Sequence, residues 1–112
     1  MINTLKEAIN MILYTNVFTR TNPNILFHNQ VLDGTSFVRH LKTNYIDTQK
    51  LLSRWWEQSQ DQLVMTYKAV WISREAFDEY TNDSVLQQYW IERDLYCDQN
   101  NITIGPRTWE DV

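Results

Sequence analysis

The stretch AVWISREAFDEYTNDSVLQQYW, Ala69 to Trp90, changes its hydrophobic rhythm twice. Up to Ile72 the residues are nearly all apolar, as in a strand kept dry on both sides. Ser73 then reads as a helix N-cap: its hydroxyl accepts from an amide that has no partner in the first turn. Glu75 suits the positive end of that helix. Phe77 and Tyr80, three apart, share an inward face. Asn82-Asp83-Ser84 interrupts, and Ser84-Val-Leu-Gln87 carries the capping-box pattern. A short helix is therefore expected to be followed by a longer one running to about Gln99. Asn100-Asn101 closes it, since Asn tolerates the left-handed conformation at helix ends.

Working upstream, KLLSRWWEQSQDQLVMTYKAVWIS reads as a hairpin. Two apolar, aromatic runs flank the polar segment Glu57 to Gln62, which lacks an Asn-Gly turn and so predicts a longer loop. Before it, Thr35 or Ser36 caps a helix in which Phe37, Leu41 and Tyr45 lie four apart, ending near Asp47. The stretch TNPNILFHNQVLDGT reads as a loop, with a short extended piece at Ile25 to Phe27 and a turn at Asp33-Gly34. MILYTNVFTRT, Met11 to Thr21, alternates Tyr14, Asn16, Phe18 against Leu13, Thr15, Val17 and reads as the first strand. Thr4 to Glu7 fits a capping box and a short opening turn. Downstream, ITIGPRTWE reads as the last strand, with Gly105-Pro106 marking an edge position or a bulge.

The order is strand, helix, strand, strand, helix, strand. That is the ferredoxin-like plan of the α+β class: one four-stranded antiparallel sheet with both helices on one face. A length of 112 residues fits one domain, residues 1–112. The third strand sets Leu63, Met65, Tyr67, Ala69 and Trp71 on one side, and Val64, Thr66, Lys68, Val70 and Ile72 on the other. Neither side reads as wet. One must meet the helices, and the economical cover for the other is a second copy of the chain, giving a homodimer. Trp55 and Trp56 point to opposite sides, so one is expected beneath the helices and its neighbour in the dimer interface. Five Trp and an aromatic fraction of 13% fit an interface or a lined cleft.

Composition excludes several functions. The net charge of −4 and scattered basic residues argue against nucleic acid. RNA-recognition motifs share this strand–helix order, but LVMTYKAVW has no Gly in the aromatic run they need. With two glycines, Gly34 and Gly105, neither a dinucleotide fingerprint nor a P-loop is possible. No apolar run is long enough to span a membrane, and the start lacks the marks of a signal peptide, so the expectation is a cytosolic protein. The single Cys97 forms no internal disulfide and reads as a small buried hydrophobe. His28, His40 and Cys97 make no spaced metal cluster, and no Ser sits in a nucleophile elbow. The expectation is no metal and no cofactor. His40 and the acids of the second helical region, with Arg74 and Arg93, read as solvated.

The join from Trp71 to Phe77, W-x-S-x-E-A-F, with the Asn-Asp break and a second helix after it, resembles the dimeric α/β-barrel superfamily, which includes antibiotic-biosynthesis-type and haem-degrading monooxygenases. The resemblance is strongest over about residues 50–104 and concerns fold more than chemistry. It implies two sheets packed across a dimer and a ligand cleft between sheet and helices. Laid on the haem-degrading members, Asn16 takes their strand Asn, Tyr80 stands at their Trp, and Trp90 stands at their haem-ligating His. Indole nitrogen does not bind iron, so that activity is not expected. Asn16, Trp71 and Tyr80 are compatible with the cleft of the cofactorless members.

These readings make Asn16, Phe18, Trp71, Tyr80 and Trp90 the expected ligand-binding residues, and Asn16, Tyr80 and His28 the catalytic candidates. The expected function is binding of a small apolar or aromatic molecule with few polar anchors. The alternatives are a cofactor-independent monooxygenase of quinol-type substrates and a non-catalytic assembly module.

Overall fold

The computed structural model describes residues 10–112, so the pattern at Thr4 to Glu7 lies outside the described residues. The elements in order are β1 (Ile12–Thr19), α1 (His28–Val31), α2 (Thr35–Leu41), β2 (Leu51–Gln58), β3 (Val64–Trp71), α3 (Arg74–Thr81), α4 (Ser84–Gln99) and β4 (Thr103–Asp111). A π-helical turn, Lys42–Ile46, joins α2 to the approach to β2. The strands lie in the order β2-β3-β1-β4, every neighbouring pair antiparallel. This is the ferredoxin-like α+β fold, with the helices packed on one face.

Alternation in the two central strands carries the core. Ile12, Tyr14, Asn16 and Phe18 of β1 are buried, as are Met65, Tyr67, Ala69 and Trp71 of β3, while the residues between them are half-buried. The two strands pair without a slip, Ile12 opposite Trp71 through Thr19 opposite Val64. Trp71 is fully enclosed, with Tyr80 at 4.6 Å and Tyr45 at 5.8 Å between ring centres. Enclosing a ring of that size removes roughly 200 Å² from water, a gross gain of about 5 kcal/mol. Phe77, Tyr80, Leu41, Tyr45 and Leu86 close the layer from the helix side.

The edge strands behave differently. The pairing of β2 with β3 slips between Leu51 and Ser53, and that of β4 with β1 slips between the partners of Asn16 and Phe18. Each slip is a β-bulge, which spends one extra residue and reverses which side chains face inward beyond it. In β2 the bulge turns Arg54 and Trp56 to the helix side, opposite Ala69 and Tyr67. Trp55, opposite Lys68, goes to the open side. In β4 the bulge follows Ile104 and brings Arg107 opposite Asn16 and Trp109 opposite Tyr14. Gly105 sits in it at φ +113°, a conformation that favours glycine.

The helix ends show where hydroxyl capping wins and loses. Ser73 Oγ accepts from the Ala76 amide at 3.1 Å and starts α3, and Asn101 at φ 56° closes α4. The expected caps at Thr35 or Ser36 and at Ser84 are corrected, because a neighbouring aspartate does that work in both places. Asp33 accepts from the Thr35 amide at 3.0 Å, leaving Gly34 as the N-cap, and Asp83 Oδ1 accepts from the Val85 amide at 3.0 Å. Gln87 reaches back to the Thr81 carbonyl instead of closing a box. The carboxylate is the stronger acceptor, being charged at the positive helix end.

Two further readings change. The segment before α2 is not all loop: α1 occupies His28–Val31, with the Gln30 side chain accepting from the Phe27 amide. Arg20 anchors it, bonded to the Gln62 and Ile25 carbonyls and lying over the Phe27 ring. His40 is not merely solvated, since its Nε2 stands 2.7 Å from Asp83 Oδ2. Tyr45 donates to the same oxygen at 2.7 Å. Burial pushes the Asp83 carboxyl up, but the bonds from Tyr45 and His40 outweigh it and hold the group below its ordinary value.

Candidate functional site

A cavity of about 690 Å³ lies between the inner face of the sheet and the helices. Its size is that of a small-molecule site. The floor comes from alternating residues of β1 and β3, Tyr14, Asn16, Phe18 and Tyr67, with Trp56 delivered by the β2 bulge. The roof comes from α1 through His28, from α2 through Phe37, from α3 through Phe77 and Tyr80, and from α4 through Tyr89 and Trp90. Neighbouring rings hold one another: Trp56 lies 4.7 Å from Tyr67, Phe37 4.6 Å from Tyr89, and Tyr80 4.9 Å from Trp90.

Two polar atoms on this lining are buried without a partner among the described residues: Asn16 Oδ1, an acceptor, and His28 Nδ1, which is an acceptor in the tautomer that carries its proton on Nε2. Asn16 is 2% exposed and His28 3%. Leaving such a group unpaired costs on the order of 1–3 kcal/mol, so each is a place where a ligand donor gains more than an ordinary hydrogen bond. Burial, with the Arg93 guanidinium behind it, holds the His28 imidazole down to about 4, so it is neutral at physiological pH. Phe18 lies tilted against it at 4.9 Å and Trp56 stands edge-on at 6.2 Å. The Tyr80 phenol is pushed well above its ordinary value, chiefly by burial, and stays protonated. Tyr14, Tyr67 and Tyr89 are raised for the same reason.

Asn16, Phe18, His28, Tyr80 and Trp90 therefore meet in one cavity. Trp71 does not line it: this residue lies one layer deeper, with Tyr80 packed on it and its indole N–H unpaired. Trp56 reaches the cavity but stays 38% exposed rather than covered by helices. The reading that overlooked most concerned charge. Arg54, Arg93 and Arg107 also line the cavity. Arg93 is not a solvated residue: its side chain is 13% exposed, its guanidinium lies 5.8 Å from the Phe18 ring, and it pairs with Asp94 at 3.0 Å. Its place was open to a stricter reading, since Leu86, Trp90, Arg93 and Cys97 recur at helical spacing along one face of α4. Arg54 and Arg107 depend on the bulges. Among the described residues no group of three His, Cys, Asp or Glu side chains is placed to hold a metal ion.

Compared by sequence, the chain matches no protein-family model and no curated protein. Its fold is well represented among solved structures. It is similar to SnoaB, a cofactor-independent oxygenase from Streptomyces nogalater, at 13% identity over 92% of this chain and 93% of that one, with a TM-score of 0.61. A monooxygenase of Streptomyces coelicolor, in complex with nanaomycin D, gives 14% identity, coverage of 90% and 86%, and a TM-score of 0.62. A hydroxynitrile lyase from Passiflora edulis gives 14% identity, coverage of 90% and 93%, and a TM-score of 0.52. The chain has the ferredoxin-like fold of the antibiotic-biosynthesis-monooxygenase-like proteins. A lyase on the same scaffold illustrates that the fold alone does not select a reaction.

Proposed function

We propose that this protein is a cytosolic homodimer that binds a small aromatic molecule in the cleft between sheet and helices, with Asn16, Phe18, Tyr80 and Trp90 contacting it. The observation that carries the reading is the pair of orphaned acceptors, Asn16 Oδ1 and His28 Nδ1, on the wall of an aromatic cavity of about 690 Å³. Rings provide burial at roughly 25 cal/mol per Å², and the two acceptors orient a hydroxyl or amine of the ligand. The dimer half of the proposal rests on the open sheet face. Leu13, Val17, Val64 and Val70 are only half-buried there, Trp55 is 38% exposed, and the Lys68–Glu57 pair at 3.1 Å is already matched. A lone Cys97, 1% exposed, is consistent with a reducing compartment.

A second reading, cofactor-independent oxygenation of a quinol-type substrate, is favoured by the same two acceptors and by the named activities of structurally similar proteins. Its catalytic groups would be Asn16, His28 and Tyr80. Magnitude limits what His28 does there. With its imidazole held at about 4, taking a proton outright from a phenol near pKa 10 costs about 8 kcal/mol. His28 therefore accepts a hydrogen bond from the hydroxyl and leaves the proton shared. Tyr80, kept protonated, is a donor rather than a base.

The test is a thermal-shift and oxygen-uptake pair on the purified protein with naphthoquinol-type and fatty-acid-type compounds. Binding predicts a rise in melting temperature with the aromatic set, and the oxygenase reading predicts dioxygen consumption as well. Stabilisation without uptake leaves a binder. Stabilisation by fatty acids alone contradicts an aromatic ligand.

A further inference from the structure

We infer that the cavity selects an anion, an aromatic carboxylate, and that Arg54 and Arg107 are the residues that choose it. This rests on the binding reading above and adds the charge of the ligand to it. Among the described residues, three guanidiniums face the cavity, from β2, α4 and β4, against one carboxylate, Asp94. Asp94 is already paired with Arg93. Neither Arg54 nor Arg107 has a carboxylate within 4.0 Å among the described residues. Positive charge is therefore gathered here in a chain whose net charge is −4.

The backbone is what brings these two arginines in. Plain alternation from Leu51 would point Ser53 and Trp55 inward, and from Ile104 it would point Pro106 and Thr108 inward. Both edge strands instead carry a bulge, and beyond each bulge an arginine faces the cavity, Arg54 opposite Ala69 and Arg107 opposite Asn16. Bulges commonly re-aim side chains beside binding sites, and here Arg54 is left half-buried and Arg107 exposed at the rim. Two such devices on opposite edges of one sheet converge on the same space. The fields overlap there: Arg54 and Arg93 both act on the Tyr80 and Tyr89 phenols, and Arg107 and Arg93 both act on Tyr14.

The recognised chemistry follows from the donors. A guanidinium presents a planar fork that matches a carboxylate with two parallel hydrogen bonds. The aromatic walls take the ring. Asn16 Oδ1, an acceptor without a partner among the described residues, and His28 Nδ1 in its Nε2–H tautomer take a hydroxyl hydrogen. A hydroxy-substituted aromatic carboxylate answers all three at once.

Calorimetric titration of the full chain at neutral pH tests this with two probes of the same shape, 3-hydroxy-2-naphthoate and its uncharged amide. The carboxylate is expected to bind about ten-fold more tightly, or better. Arg54→Gln and Arg107→Gln should each remove most of that preference and leave the amide within about two-fold of its wild-type affinity. Arg107 is exposed on an edge strand, so its variant should keep the wild-type melting temperature. Equal affinities for the two probes, or arginine variants that weaken both alike, would overturn the anion assignment and leave the cavity reading standing. If neither probe binds, both readings fall.

Discussion

Asn16 and His28 each place a cost on the stability of the fold. Each keeps a buried polar atom without a partner among the described residues, a cost on the order of 1–3 kcal/mol that an apolar residue would not carry. Replacing Asn16 with Leu, of the same branched shape and with the cavity beside it to take the bulkier methyls, should raise stability by about 1–2 kcal/mol in urea unfolding while weakening aromatic ligands. A loss of stability would mean that the Asn16 amide has a structural partner. His28 adds a pH dependence. Its folded value near 4 lies below the ordinary 6.5, so between those limits the unfolded chain binds a proton that the folded chain does not. Stability is full above pH 6.5 and falls as pH drops towards 4, by up to about 3 kcal/mol. His28→Phe should flatten that part of the curve relative to wild type, and an unchanged slope would place the titration elsewhere.

At the scale of elements, the carboxylate of Asp83 does three jobs at the α3–α4 break, capping Val85 and accepting from His40 and Tyr45. Asp83→Ala should cost about 2–4 kcal/mol, and a cost below about 1 kcal/mol in chemical unfolding would show that the network is dispensable. Gly105, at φ +113° in the β4 bulge, should resist substitution: Gly105→Ala is expected to cost about 1–2 kcal/mol and to weaken any ligand that uses Arg107. The same elements explain what could be read in advance. The inner faces of β1 and β3 were legible because those strands pair without a slip, so a period of two names Tyr14, Asn16, Phe18 and Tyr67 correctly. The edge strands were not. A bulge is one unpaired residue with no composition signal in β2, and it reverses the meaning of every position after it. Arg54 and Arg107 were lost that way, and which of Trp55 and Trp56 lies on the helix side stayed open, although Gly105-Pro106 did announce the bulge in β4. Trp71 was misplaced for a different reason. Alternation tells which side of the sheet a residue faces, but not whether a helix residue such as Tyr80 lies between it and the cavity.

For the whole molecule, one sheet face is closed by helices and the other is the proposed contact with a second copy. A stable dimer of this kind buries roughly 800 Å² per partner. Sedimentation should give twice the chain mass of 13.5 kDa, and Val17→Arg, at the centre of the open face opposite Thr66, should return it to one chain. Such a variant remaining dimeric would move the interface elsewhere. The cavity lies on the opposite side of the sheet, so the proposed dimer contact and the proposed ligand contacts fall on different residues and are separable by mutation. The measurement that bears most directly on the account is a crystal structure of the protein grown with a saturating hydroxynaphthoate. It should show planar density between Trp56 and Tyr80, its hydroxyl within hydrogen-bond reach of Asn16 or His28. Ordered water alone in the cavity, or the aromatic molecule bound on the outer face of the sheet, would contradict it.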